Sequence, residues 1–370
     1  MSDDKPTMYD YIKETPRQIR WQVAHRRELT APLVSEIQTG EWRSRVLVAS
    51  GSSANACSCS LPLMRRELGM DVQLVNSGSF EMADVLPPND ALCMVISQSG
   101  CSTNSIAALD RLRAAGRPAI GLTANMDSDL KDHTDLLVDY GCGEELVGYV
   151  TKGVTCLAAF LMLLAAEVAH DEELVEQIEQ AVGGNASMLT EAEDFYRRNR
   201  RALTSLEVVY AVGYGAGLGT CTEAALKLGE TIKVPAFAYE AEEYLHGPNL
   251  QITPRYSFFF VDDGGRGSAR LRRIAEVTGY VSDACYFVGA PASSDVTWSH
   301  IAPAHIVEKP ACAPDDPLVS PLWQLSLFQY IAWKATEELG CWDGHPFNDD
   351  LDEEWEKATK TDSIRDIMPY

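Results

Sequence analysis

Arg45-Val46-Leu47-Val48-Ala49-Ser50-Gly51-Ser52-Ser53 is the stretch on which the fold turns. Its apolar, β-branched half reads as a buried strand, and Gly51 with two serines then breaks it ahead of a helix-like stretch reaching residue 68. Strand, loop and helix follow in that order. Further strands are expected over residues 72–75, 91–96, 118–122 and 136–138, with helical stretches between most of them. Strands alternating with helices predict a parallel sheet covered on both faces, because each crossover needs a helix to return the chain. Right-handed crossovers make such a sheet doubly wound.

The same plan recurs downstream. A strand over residues 207–212 ends in Gly213-Tyr214-Gly215, a helix runs through Glu230, and a strand over 256–261 ends in Asp262-Asp263-Gly264. Strands over 284–288 and 305–307 complete the second set. The separation between the first and second loops is about fifty residues in both halves, the signature of duplication. The fold class expected is α/β, with two tandem doubly wound parallel-sheet domains of flavodoxin-like type. The boundaries read as a helical segment over 1–40, a first domain over 41–180, a second over 181–340 and a tail over 341–370. Pro16 is placed in the first turn of a leading helix. Residues 169–200, rich in Glu and Gln, read as a helical connection, and residues 318–338 as a last helix. The acidic tail from Cys341 is expected either to be disordered or to lie over a site.

Composition restricts function. With 370 residues and 46% hydrophobic content, the chain can bury more than one core. A formal net charge of -23 and a pI near 4.6 disfavour nucleic acid and anionic membrane as partners. Any phosphate must therefore be held locally, by backbone amides and hydroxyls. The N-terminus lacks the basic and apolar run of an export signal, so the expected location is the cytoplasm. The longest apolar stretch, residues 154–166, is shorter than the ~20 residues that cross a bilayer and reads as a buried helix. Ten cysteines show no zinc spacing and the seven histidines no HExxH pair, so no metal is expected and the thiols read as reduced core residues.

Two loops are placed for anion binding. Residues 50–53 and residues 97–103 (Ser97-Gln98-Ser99-Gly100-Cys101-Ser102-Thr103) each follow a buried strand and precede a helix, where the first helical amides point at the loop. Serines at such positions also cap helices, which is the plainer reading of either loop alone. Gly213-Tyr214-Gly215-Ala216-Gly217-Leu218-Gly219 fails GxGxxG in both registers, because Leu218 and Thr220 stand where glycine is required, and no GxxxxGK[ST] is present. No nucleotide or other cofactor is expected.

In the second half, Glu223, Lys227 and Glu230 share one helical face, and His246-Gly247-Pro248 follows in a loop. A Glu223–Lys227 pair reads as an ordinary helix salt bridge, whereas Glu230 lies near a helix end whose dipole disfavours a carboxylate. A carboxylate and an imidazole suit proton transfer at a sugar carbonyl. A histidine before Gly-Pro is also a common turn residue.

At these residues the sequence resembles the sugar isomerase (SIS) domain family, in particular the double-domain isomerase half of glucosamine-6-phosphate synthase and its relatives. The matching motifs are residues 50–53, 97–100, 150–153 (Val-Thr-Lys-Gly), 223–230 and 246–248. The resemblance implies that Ser52, Ser53, Ser97, Gln98, Ser99 and Ser102 hold the phosphate of a hexose 6-phosphate. It implies that Glu230 is the acid/base at C1 and C2 and His246 the ring-opening residue, reaching the site of a neighbouring subunit in a homodimer. Ser50, Gly51, Gly148 and Lys360 are implied to contact substrate. Two departures matter: Cys101 stands where the synthase has Glu, and the tail motif is matched only loosely by Ala358-Thr359-Lys360. The absence of a glutamine-hydrolysing domain leads to the expectation that the chain is not the synthase. Residues 147–153 and 244–250 look most like the glucoselysine/fructoselysine 6-phosphate deglycases. That makes cleavage of an Amadori-type sugar-amine 6-phosphate the first expectation, ahead of a deaminase, a ketose/aldose isomerase or a non-catalytic phosphosugar-binding regulator.

Overall fold

The structure, a computed structural model, describes residues 6–290, 297–343 and 348–367. Part of the expected tail, residues 344–347 and 368–370, and the first five residues of the N-terminal reading lie outside these. The chain divides into two units, Met1–Val175 with Asp343–Tyr370, and Glu176–Trp342.

The first unit opens with α1 (Met8–Thr39), started by a capping box in which Thr7 and Asp10 satisfy each other's backbone N–H groups. Those bonds, from the Thr7 backbone above all, hold the Asp10 carboxyl at about 2. Pro16 lies well inside this helix rather than in its first turn, because the cap is made nine residues earlier by Thr7. Then come β1 (Ser44–Ala49), α2 (Gly51–Leu68), β2 (Asp71–Asn76), α3 (Ser77–Met82), β3 (Ala91–Ile96), α4 (Thr103–Ala114), β4 (Ile120–Thr123), β5 (Leu136–Asp139) and α5 (Lys152–Ala169).

All pairings are parallel and the strand order is β2-β1-β3-β4-β5. β3 is buried along its whole length, as a strand covered on both faces must be. On one face Val46, Val48 and Val95 pack with Phe80, Leu109 and Leu112 from α3 and α4. α5 is, among the described residues, the only helix long and apolar enough to cross a membrane, but it is buried inside the unit, where it packs on α1 and α2. At ~1.5–3 kcal/mol per fully buried Leu, Phe or Met, this helix is a large part of what holds the unit together.

α6 (Glu172–Leu203) carries the chain into the second unit. There β6 (Val208–Gly213), α7 (Gly215–Ile232), β7 (Ala236–Glu240), α8 (Ala241–Leu245), β8 (Tyr256–Val261), α9 (Ser268–Thr278), β9 (Cys285–Ala290), β10 (Ile306–Glu308) and α10 (Pro321–Leu339) follow. The sheet is again parallel, ordered β10-β9-β8-β6-β7. Read from the other edge, this is the order of the first unit. The expected duplication is therefore present strand for strand, with β7 added to the expected set. β7 carries residues that are only partly buried and an exposed Phe237, so its apolar pattern is weak, as edge strands tend to be. In the tail, α11 (Asp349–Thr359) and α12 (Ile364–Ile367) are helical and belong to the first unit.

Of the ten cysteines, all but Cys312 and Cys341 are buried. Among the described residues no group of three or more His, Cys, Asp or Glu side chains is arranged to hold a metal ion.

Candidate functional site

In an open sheet of this order the chain leaves β1 toward one edge and returns at β3 toward the other, which opens a crevice at the carboxyl ends of these two strands. Both serine loops leave the sheet there. Residues 50–53 connect β1 to α2 and supply the first turn of that helix, while residues 97–102 connect β3 to α4.

The capping reading of these serines is not what the geometry gives. Ser50 and Ser102 occupy the N-cap positions of α2 and α4, yet neither side chain caps its helix. Ser50 Oγ instead accepts a long bond from Asn104 Nδ2 at 3.4 Å, and Ser102 Oγ accepts from Lys360 Nζ at 2.8 Å. Ser97 and Ser99 stiffen their own loop: Ser97 Oγ accepts from Gly100 N at 3.2 Å and Ser99 Oγ from Cys101 N at 3.3 Å. Each of those hydroxyls keeps its proton to donate. Ser52 is buried and Ser53 half-buried at the start of α2.

Gln98 points its amide at a residue that sequence reasoning passed over. Gln98 Nε2 donates to Glu145 Oε2 at 2.7 Å. The Glu145 carboxylate also accepts the backbone N–H groups of Thr151, Lys152 and Gly153 at 2.9, 2.7 and 3.0 Å. It thus covers the positive end of α5, where a carboxylate is stabilised by the helix dipole and by charge-assisted bonds. An acid shortly before the Val-Thr-Lys-Gly run was the available signal. Gly153 is what allows the approach, since a Cβ there would fall 1.9 Å from Gln98 Oε1. Gly148, in the same loop, is exposed with open space around its Cα.

The tail lies along the second loop. Ser102 and Lys360 form an antiparallel bridge, Thr361 N donates to Cys101 O at 2.9 Å, and Thr103 Oγ1 donates to Thr359 O at 3.1 Å. Ser363 Oγ adds a bond to Asp129 Oδ1 at 2.8 Å. Burial pushes the Lys360 amine below the ordinary lysine value. Cys101, the departure from the synthase pattern, turns its thiol into the protein, where burial raises it.

In the second unit, Glu230 stands in the last turn of α7 beside Lys227, whose Nζ lies 2.5 Å from Glu230 Oε1 and 3.4 Å from Glu223 Oε1. Lys227 and Glu223 are fully buried, while the Glu230 carboxylate is about a third exposed at 29%. The expected helix-surface salt bridge is therefore a buried ion pair extended to Glu230, and the ammonium offsets the unfavourable dipole at that helix end. His246 follows α8, exposed, with its backbone N–H on Glu243 O at 3.1 Å and no side-chain hydrogen bond among the described residues. No bond links it to Glu230 among those residues.

Residues 40–166 match the SIS domain. Across 346 residues the chain is 25% identical to the glutamine–fructose-6-phosphate aminotransferase (isomerizing) of Halobacterium salinarum, covering 87% of this chain and 55% of that protein. It spans about half the length of the curated relatives it matches. Among solved structures, a Clostridium difficile 630 protein provisionally assigned as a phosphosugar isomerase superposes with a TM-score of 0.82 at 21% identity, covering 95% of this chain and 98% of that one. The tagatose-6-phosphate ketose/aldose isomerase of Escherichia coli gives 0.73 at 18% identity, covering 90% and 93%. A glucosamine-6-phosphate deaminase of Thermotoga maritima gives 0.67 at 18%, covering 90% and 95%. Residues 40–166 thus match the SIS domain, and the chain as a whole shares the fold of these solved structures.

Proposed function

We propose that this chain is an enzyme that moves a proton between C1 and C2 of a sugar 6-phosphate held by residues 50–53 and 97–102. The observation that carries this reading is the pair of N-cap serines, Ser50 and Ser102, whose hydroxyls are directed elsewhere than at their own helices. Ser52, Ser53, Ser97, Gln98, Ser99 and Ser102 make the phosphate contacts, and Lys360, docked on Ser102, meets the sugar. Ser50, Gly51 and Gly148 contact the rest of the substrate. Phosphate held away from the reacting carbons supplies orientation, which is where binding energy best serves proton transfer.

Glu230 carries the proton, and His246 moves the proton that opens the sugar ring. The Lys227 ammonium fixes Glu230 Oε1, so the carboxylate is oriented before substrate arrives. The finer reading is a deglycase, supported by the likeness of residues 147–153 and 244–250 to fructoselysine and glucoselysine 6-phosphate deglycases. A ketoamine loses a proton at C1 and gains one at C2 while its N–H proton passes to O2, leaving a C1 imine beside a C2 hydroxyl. Water adds to C1, the C–N bond breaks, and hexose 6-phosphate and the free amine leave. The second reading uses the same kind of proton transfer, either as a ketose/aldose isomerase, which stops there, or as an amino-sugar 6-phosphate deaminase, in which water then adds to the C2 imine and the C–N bond breaks to release ammonia. It is supported by the likeness to the E. coli and T. maritima structures. Both readings place the protein in the cytoplasm as a homodimer, with the exposed His246 given to the partner's site.

Incubation with fructosamine 6-phosphates, glucosamine 6-phosphate and fructose 6-phosphate separates them. Free amino acid identifies the deglycase, ammonia the deaminase, and an aldose/ketose mixture the isomerase. Glu230→Gln is expected to lose at least ~10²-fold in turnover while staying folded. Turnover of none of these, with tight binding of one, would favour a non-catalytic regulator.

A further inference from the structure

The two units repeat one another residue by residue at the carboxyl ends of their central strands. α2 starts at Gly51 and α7 at Gly215, with left-handed φ of +57 and +52°. Their N-caps, Ser50 and Tyr214, are extended and make no side-chain cap. The first intrahelical bonds are Ala54 N to Ser50 O and Leu218 N to Tyr214 O, at 3.4 and 3.1 Å. β3 and β8 are followed by loops of equal length, residues 97–102 and 262–267. Ser97 N bonds Leu122 O at 3.0 Å, and Asp262 N bonds Val288 O at 2.8 Å, each on the neighbouring strand. Gly51, Ser52 and Ser53 therefore correspond to Gly215, Ala216 and Gly217, and Ser97 and Gln98 to Asp262 and Asp263.

What differs is the content of the two cradles. A Cβ placed on Gly51 would meet nothing within 4 Å, whereas one on Gly215 would fall 2.6 Å from Asp263 Oδ2. The Asp263 carboxylate accepts the Gly265 N–H at 2.8 Å, and the nearby backbone amides of Ala216 and Gly217 favour its charged form. A negative group thus occupies the helix start that attracts anions in folds of this kind. The hydroxyls of the first cradle have no counterpart in Ala216 and Gly217, and the neighbouring Asp262 is buried, with its carboxylate accepting from Gly264 N and Ser268 Oγ.

We propose that Asp263 is a built-in anion that closes the second copy of a duplicated phosphate cradle, so that the second unit takes no phosphate of its own. This is independent of which reaction the chain performs. An internal carboxylate is always present at the amides, while free phosphate must be recruited from solution, and Asp262 repels it.

Equilibrium dialysis of the full chain against labelled inorganic phosphate tests the idea. The Asp262→Ser/Asp263→Gln double variant writes the first cradle's residues into the second. It is expected to bind one more phosphate per chain than the wild type, whatever the wild-type number is. A wild type that binds none would count against the first-unit site alone. A folded double variant with the wild-type stoichiometry overturns the proposal. Should the double variant unfold in anion-free buffer, recovery in phosphate but not in chloride of equal ionic strength is expected, and failure to recover in either overturns it.

Discussion

Replacing Lys227 with Met removes a buried positive charge that lies against two carboxylates, Glu223 and Glu230. At the 3.4 Å separation of Lys227 and Glu223, an effective dielectric near 20 gives an attraction of about 5 kcal/mol. Removing one partner of such a pair leaves the other desolvated and costs about 3–5 kcal/mol, most of it the penalty on Glu223. Glu230, partly in water, adds at most about 1 kcal/mol. With a urea slope of roughly 2–3 kcal/mol per M, the unfolding midpoint should fall by about 1–2 M without a change in slope. Adding Glu223→Gln to Lys227→Met should recover about 1–3 kcal/mol, the coupling that a double-mutant cycle reads. Circular dichroism in urea on the four proteins is the assay. A Lys227→Met midpoint equal to the wild type, or a double variant that costs the sum of the singles, refutes the reasoning.

Three further outcomes follow from the geometry. Gly153→Ala forces the Gln98 amide aside and should cost about 1–3 kcal/mol of stability, with a weaker affinity for glucose 6-phosphate by calorimetry. Lys360→Met removes the bond to Ser102 and loosens the tail by about 1–2 kcal/mol, so hydrogen exchange at the Thr361 amide should speed by about 5–30-fold. Burial raises both Asp262 and Asp263 above the ordinary aspartate value of 3.8. Between that value and their folded values the native state holds more protons than the unfolded chain, so their contribution falls as pH rises through that window. Asp263→Asn should therefore gain on the wild type in denaturation experiments as pH rises through it.

Legibility in the sequence followed burial and local chemistry. β1 and β3 could be read because central parallel strands are continuous apolar runs, and the loops after them because glycine and serine interrupt those runs. β7 could not, since an edge strand such as Ala-Phe-Ala-Tyr-Glu buries little. Pro16 misled because proline favours a first turn, whereas the Thr7–Asp10 box had already begun the helix. The Glu223–Lys227–Glu230 spacing was plain, but spacing alone does not reveal whether a helix face is buried. Glu145 escaped notice because its partners, Gln98 and the start of α5, are brought together only by the sheet order. The same holds for the tail, whose contacts with residues 101–103 join positions far apart in the chain.

The central claim is that the loops after β1 and β3 grip a phosphoryl group. A crystal of the protein soaked with glucose 6-phosphate should place the phosphate against Ser52, Ser53 and residues 97–102, with the second-unit cradle still filled by Asp263. Sugar phosphate bound elsewhere, with those serine loops empty at saturating ligand, would contradict the account.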